Sequence, residues 1–220
     1  MTIIDRPEHD VIIVDDLPPE AQAMLLALYS RSPMSVRVHL EKIRKVGWER
    51  FMSQFYVGYG HKSIGDCGAT TICAEHCSML VAKAIQDNRM YNGQEASTRY
   101  LDMEKQPVLN PLGRGVGEVI QADWMIFYAK ALAELVPYLM GQFPMLPGED
   151  EKVYKKAIKA KAFDIARGFL PAGCTTYVGW FTNLRQAWDH LRELKFHPLQ
   201  EARMMAGRIH EELLAKYPSS

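Results

Sequence analysis

The chain has 220 residues, 48% of them apolar, and its 26 basic and 26 acidic side chains cancel to a formal charge of zero. That balance excludes the broad basic field of a non-specific nucleic-acid binder, and the apolar content excludes a disordered chain. No apolar run approaches the ~20 residues of a membrane helix, and the acids Asp5, Glu8 and Asp10 stand where a signal peptide keeps its hydrophobic core. We therefore expect a soluble, cytoplasmic protein without a membrane or nucleic-acid partner.

In chain order, Val11-Ile-Ile-Val14-Asp15 reads as a short buried strand. Pro18-Pro19-Glu20 is a helix start, because proline is tolerated where the N–H has no helical partner. It opens a short apolar helix, Ala21 to Tyr29. Ser35 to Val46 predicts a second helix, broken at Gly47, with Trp48 to Tyr56 continuing after a kink. Gly58 to Ser63 reads as a loop whose glycines allow close backbone approach.

Asp66 to Gln86 is mostly apolar and reads as a long buried helix, followed by a turn at Asn92-Gly93. Asn110 to Gly117 is a loop, and the helix after it carries Ile120, Trp124, Phe127, Ala131 and Leu135 as a strip at helical spacing. Pro144 to Asp150 ends that helix. Glu151 to Phe169, Asn183 to Glu193 and Leu199 to Tyr217 are the remaining helices. The expectation is an α+β, helix-rich single domain over residues 1–220, with a small sheet whose strands are hard to place.

Three constellations have simple readings. Cys73, His76 and Cys77 fall at i, i+3 and i+4 of the expected helix, with Cys67 before them and Cys174 far away. They lack the paired short-loop spacing of a zinc site, so we read packing thiols and no metal. Gly113-Arg-Gly115-Val-Gly117 follows no strand and lacks the context of a phosphate loop. Lys155, Lys156, Lys159 and Lys161 form a solvated helix face.

The run Asn92-Gly-Gln94-Glu95-Ala-Ser97-Thr98-Arg99-Tyr100 is different, because it concentrates an acid, hydroxyls, a guanidinium and a phenol after an apolar stretch. Arg99 offers a planar fork for phosphate, Ser97 a second donor, and Glu95 an acceptor for N–H or O–H groups. A turn closed by local hydrogen bonds is the alternative reading.

The spacing extends this pattern. Arg89 precedes Ser97 by seven intervening residues, Gly60-His61-Lys-Ser63 lies upstream, and Arg167-Gly-Phe-Leu170-Pro171, Asn183-Leu-Arg185 and His197-Pro-Leu-Gln-Glu201-Ala-Arg203 follow in order. Together these resemble the flavin-dependent thymidylate synthase family over roughly residues 58 to 204. The chain departs from that pattern where Asp87-Asn88 replace Arg-His before Arg89, where Asn92 replaces a serine, and where Arg192 or Lys195 replaces an arginine before His197.

The resemblance implies transfer of a one-carbon unit from methylenetetrahydrofolate to C5 of a uridine nucleotide, with FAD and NADPH as cofactors, in a homotetramer with shared sites. It assigns nucleotide binding to Glu95, Ser97, Thr98, Arg99 and Arg167, and charge stabilisation to Arg167 with Lys195 or Arg192. It assigns the flavin to His61, Ser63, Asn88, Arg89, Asn183, Arg185 and His190. A 5-hydroxymethylase on the same scaffold and a non-catalytic nucleotide-binding homologue are the alternatives.

Overall fold

The computed structural model describes residues 11–110 and 115–220. It contains eight helices, α1 (Pro19–Tyr29), α2 (Val36–Val46), α3 (Glu49–Phe51), α4 (Met79–Gln86), α5 (Gly115–Gln142), α6 (Glu151–Ala166), α7 (Leu184–Leu194) and α8 (Gln200–Lys216), among the described residues. Three strands, β1 (Ala69–Ser78), β2 (Asn92–Glu95) and β3 (Thr175–Asn183), make one sheet in the order β1-β3-β2. The expected helix-rich α+β fold with a small sheet is what the chain adopts. The first glycine of the expected loop at Asn110 to Gly117 lies outside the described residues.

Two compact units are built from interleaved segments of the chain. One comprises the residues up to Thr70 together with Thr182–Asp189 and His210–Ser220. Its helices start and stop on local signals. Pro18 and Pro19 open α1, the Ser35 hydroxyl accepts from Arg37 N–H at the start of α2, and Gly47 ends α2 at φ 73°, where any other L-residue is strained. The core joins Ala21, Met24 and Leu25 of α1 to Ile43 of α2, with Trp48 and Phe51 packed against it. The kinked continuation after Trp48 is α3 followed by a π-helical segment, Met52–Gly58. The buried Glu20 carboxylate accepts from Trp48 Nε1 at 3.1 Å, Ser219 N–H at 3.2 Å and the Ser220 hydroxyl at 2.6 Å, which satisfies an acid that burial would otherwise penalise.

The second unit comprises Thr71–Phe181 and His190–Ile209. Here α5 and α6 form a helical pair around Leu139, Tyr154, Ile158 and Ala162, and α6 is capped by Asp150, whose carboxylate accepts from Lys152 and Val153 N–H at 2.9 Å. A second cluster packs Met103, Tyr128, Ala166 and Cys174. β2 runs antiparallel to β3, pairing Asn92 with Phe181, Gly93 with Trp180, Gln94 with Gly179 and Glu95 with Val178. Gly93 is required by close approach, since a Cβ there would run into the Gly179 carbonyl oxygen.

Three expectations are corrected. Val11–Asp15 is not a strand, and Val11 and Ile13 are exposed. Asp66–Gln86 is not one helix: a 3₁₀ turn over Lys62–Cys67 leads into β1, and only Met79–Gln86 is helical. The β-branched run Thr70-Thr71-Ile72 favours the strand, and His76 at φ 53° adds one residue between the inward-facing Ala74 and Cys77. Cys73, His76 and Cys77 therefore do not share a helix face. Asn92-Gly93 is strand rather than turn. The expected helix after Gly117 is α5; of its strip, Ile120, Trp124 and Phe127 are exposed while Ala131 and Leu135 are half-buried, and Gly117, Tyr128 and Leu139 are its buried residues. No helix among the described residues is long and apolar enough to cross a membrane.

Candidate functional site

In the second unit the chain leaves β2 and is held to β3 by Ala96 N–H donating to the Tyr177 carbonyl at 2.9 Å. It then turns over Ser97, whose carbonyl accepts from Tyr100 and Leu101 and whose hydroxyl accepts from Arg99 N–H at 3.3 Å. This turn aims the Arg99 fork at Asp164 near the end of α6. Arg99 Nε donates to Asp164 Oδ1 at 2.8 Å, and Nη2 donates to Oδ2. Arg167 Nη1 lies 3.4 Å from the same carboxylate.

Two guanidinium groups thus converge on one carboxylate, leaving a cluster of net charge +1 whose arginines are each about half exposed. The hydrogen bond from Arg99 holds the Asp164 carboxyl below its ordinary range, and Asp164 in turn raises Arg99. Such a cluster suits an anion with several oxygens, because fork geometry matches phosphate in more than one direction. Sequence reading named Ser97, Arg99 and Arg167 but missed Asp164. The Asp164-Ile-Ala-Arg167 spacing, one helical turn, was the signal available for it.

Elsewhere in this unit, Glu95 Oε2 accepts from Gln86 Nε2 at 2.7 Å, and Thr98 is half-buried. At the end of α4, Asp87 pairs with Lys83 at 3.6 Å, and Asn88 Oδ1 accepts from Met90 N–H at 2.9 Å. Asp87-Asn88 therefore build a local turn. Arg89, next in line, is exposed and has no hydrogen-bond or ion-pair partner among the described residues.

His190 is buried, with Nε2 3.1 Å from the Ile85 carbonyl and its ring edge-on to Trp180 at 5.5 Å. A carbonyl only accepts, so Nε2 carries the proton and the ring braces the last turn of α4. Arg192 and Lys195 are exposed on α7 and the turn after it, without an ion pair among the described residues. The closing motif is structural. His197 Nδ1 accepts from Leu199 N–H at 3.1 Å, Glu201 Oε1 accepts from Ser78 N–H at 2.8 Å, and Arg203 Nη1 donates to the His197 and Pro198 carbonyls at 2.7 and 2.8 Å.

In the first unit, the π-helical segment hands the chain to an exposed His61, whose ring lies 6.4 Å from Phe55 and 6.0 Å from Tyr59. Ser63 is exposed beside it. Asn183 Oδ1 caps α7 by accepting from Gln186 N–H at 2.9 Å. Arg185 donates to Asp66 at 2.6 Å and lies 3.6 Å from Asp189. Burial first, then Asp189 and Asp66, push the nearby Tyr56 hydroxyl up. Of the residues assigned to a flavin, His61 and Ser63 here and Arg89 in the other unit keep side-chain donors unengaged. Asn183, Arg185 and His190 are engaged in holding helices. The imidazole and hydroxyl of the first unit, and separately the guanidinium of the second, are each able to donate to anionic oxygens.

The four cysteines are free thiols. Cys77 donates to the Thr176 carbonyl, and burial pushes both Cys77 and Cys174 up to about 11, so both stay protonated at neutral pH. A thiol is a poor nucleophile in that state. Replacing all four with Ser or Ala should leave turnover per folded protein within a few-fold. Loss of turnover in a folded variant would point to a cysteine nucleophile.

Residues 14–219 match the family model described as thymidylate synthase complementing protein. The chain is similar to UPF0159 proteins of Chlamydia pneumoniae, at 25% identity over 96% of this chain and 45% of the relative, and of Chlamydia muridarum, at 25% over 100% and 47%. A UPF0159 protein of Thermoplasma acidophilum is 21% identical over 77% of this chain and 41% of its own length. The chain thus spans under half the length of the relatives it matches. With that match covering nearly every residue from 14 onward, the chain belongs to the thymidylate synthase complementing protein family.

Proposed function

We propose that this protein transfers a one-carbon unit from methylenetetrahydrofolate to C5 of a uridine nucleotide, giving the 5-methyl product, in the cytoplasm. Residues 1–220 act as one domain in this reading, within a homotetramer. The observation that carries it is the convergence of Arg99 and Arg167 on Asp164 beside the Ser97 turn. It provides the divergent donors that a nucleotide phosphate requires.

In the bound nucleotide, Ser97 and Arg99 hold phosphate oxygens, and Thr98 and Glu95 are the further nucleotide contacts of this reading. Bond formation at C5 builds negative charge over the uracil carbonyl oxygens and N3. A fixed cation lowers that barrier because its field is already oriented when the charge develops. Arg167 is that cation, and Arg192 or Lys195 is the second. Both candidates are exposed and carry no competing carboxylate among the described residues.

His61, Ser63 and Arg89 hold FAD, with Asn88, Asn183, Arg185 and His190 shaping the segments that present them. When bound, FAD relays reducing equivalents from NADPH, so the chain needs no nucleophile of its own. The reading is tested on the purified chain by its visible spectrum after incubation with FAD, together with titration of dUMP and UMP. Flavin retained through gel filtration and saturable nucleotide binding support it. A colourless protein that binds neither nucleotide contradicts it.

A further inference from the structure

Arg99 meets Asp164 with one edge of its guanidinium. Nε donates to Oδ1 at 2.8 Å and Nη2 donates to Oδ2, so both carboxylate oxygens are taken by a single fork. A guanidinium carries its N–H donors in one rigid plane, and this contact uses the Nε edge. The donors on the Nη1–Nη2 edge meet no acceptor among the described residues. Ser97 accepts from the Arg99 backbone N–H and not from its side chain, and that side chain is 49% exposed. Among the described residues, Asp164 is therefore what fixes the plane of the Arg99 fork.

Asp164 belongs to α6, whereas Arg99 stands on the turn after β2, so the helix holds the carboxylate and the carboxylate directs the guanidinium. The other cations nearby are held less closely. Arg167 Nη1 is 3.4 Å from Oδ1, and Lys161, one turn earlier on α6, lies over the Phe143 ring at 5.1 Å. For a bound phosphate the carboxylate has two opposing effects. Its negative charge repels the phosphate, but at an exposed site with Arg167 and Lys161 beside it such a charge shifts affinity only a few-fold. Its two hydrogen bonds arrest a long side chain that the ligand would otherwise have to order, a cost of roughly 2- to 10-fold in affinity. They also turn the open edge outward for a two-pronged grip on phosphate oxygens. Orientation outweighs repulsion.

We propose that Asp164 is a positioning residue, which holds the Nε edge of Arg99 and so presents the Nη1–Nη2 edge to the nucleotide phosphate. The role rests on the proposed nucleotide site and adds to it a residue that acts without touching the ligand. Isothermal titration of dUMP into the full chain tests it. Asp164→Asn keeps the side-chain shape but sets an amide donor against a guanidinium donor, and it should weaken dUMP binding about 10-fold through loss of the ordered fork. Asp164→Glu returns both acceptors and the charge, and should bring most of that affinity back. A role in packing α6 would give the opposite order, because Asn is the closer match in shape. In the Arg99→Ala background, Asp164→Asn should weaken dUMP binding no further and should tighten it slightly, since only repulsion is then removed. A parent chain that binds dUMP, with Asp164→Asn equally tight or tighter, with Asp164→Glu weaker than Asp164→Asn, or with losses that add to that of Arg99→Ala, overturns the positioning role and leaves the nucleotide site standing. A parent chain that binds no dUMP overturns the nucleotide site and this role with it.

Discussion

Arg99→Ala is expected to raise the nucleotide dissociation constant roughly 10- to 150-fold, the scale of losing a charge-assisted hydrogen bond worth about 1.5–3 kcal/mol. Arg99 is half exposed, so water compensates part of the loss, and the lower half of that range is the firmer expectation. Arg167→Ala should weaken binding less but lower kcat more, because its assigned partner is the charge that develops on the ring rather than the resting phosphate. Both variants should keep their flavin content, since neither side chain lies among the residues assigned to FAD. Isothermal titration of the nucleotide, with the flavin spectrum as control, checks this. Unchanged affinity in both variants would remove the nucleotide from this cluster.

Asp164 makes that pair of expectations sharper. Its carboxyl is held below the ordinary range chiefly by the Arg99 hydrogen bond, so it stays charged throughout the neutral region and is lost as a partner only on acidification through its lowered value. Nucleotide affinity should accordingly show no titration from Asp164 between pH 6 and 8, a window set by the direction of that shift.

Gly93→Ala is the largest expected effect on stability. The added methyl meets the Gly179 carbonyl oxygen, and backbone facing backbone leaves no flexible side chain to give way. Overpacking of this kind costs roughly 1–3 kcal/mol, and the rigid neighbours place it at about 3. For a chain of this length that corresponds to a fall in Tm of roughly 6–12 °C. Because β2 ends at Glu95 and leads directly into the Ser97 turn, nucleotide affinity should drop in the same variant. A thermal melt that matches the parent would show that β2 does not approach β3 as described.

The helices with clear punctuation were legible in the sequence. Pro18-Pro19, Ser35 and Gly47, and Asp150 each satisfy or terminate backbone groups locally, so their signals survive without tertiary context. The strands were not legible, for different reasons. In β3 the inward Val178 and Trp180 alternate with the outward Tyr177 and Phe181, which are equally apolar, so a period of two is invisible in polarity. In β1 the kink at His76 breaks the alternation, and the apolar run then continues straight into α4. Asn92-Gly93 carries a turn signature, yet its glycine serves close strand approach instead.

The site was legible in part. Ser97, Arg99 and Arg167, grouped by the order of motifs, are joined in the folded chain by the Ser97 turn and by the shared carboxylate of Asp164. Asp164 was not legible, because an acid on a lysine-rich helix reads as one more solvated charge. Arg185 and Asn183 were legible as motif members but not as to their partners, Asp66 and the first turn of α7, which only the folded chain brings near.

The most direct test of the central claim is mass spectrometry of the nucleotide recovered after incubating the purified chain with dUMP or UMP, methylenetetrahydrofolate, FAD and NADPH. The account predicts a nucleotide carrying one added methyl group at C5, formed only when all components are present. Recovery of unmodified nucleotide alone, from protein that has bound both flavin and nucleotide, or of a 5-hydroxymethyl product in place of the methyl one, would contradict it.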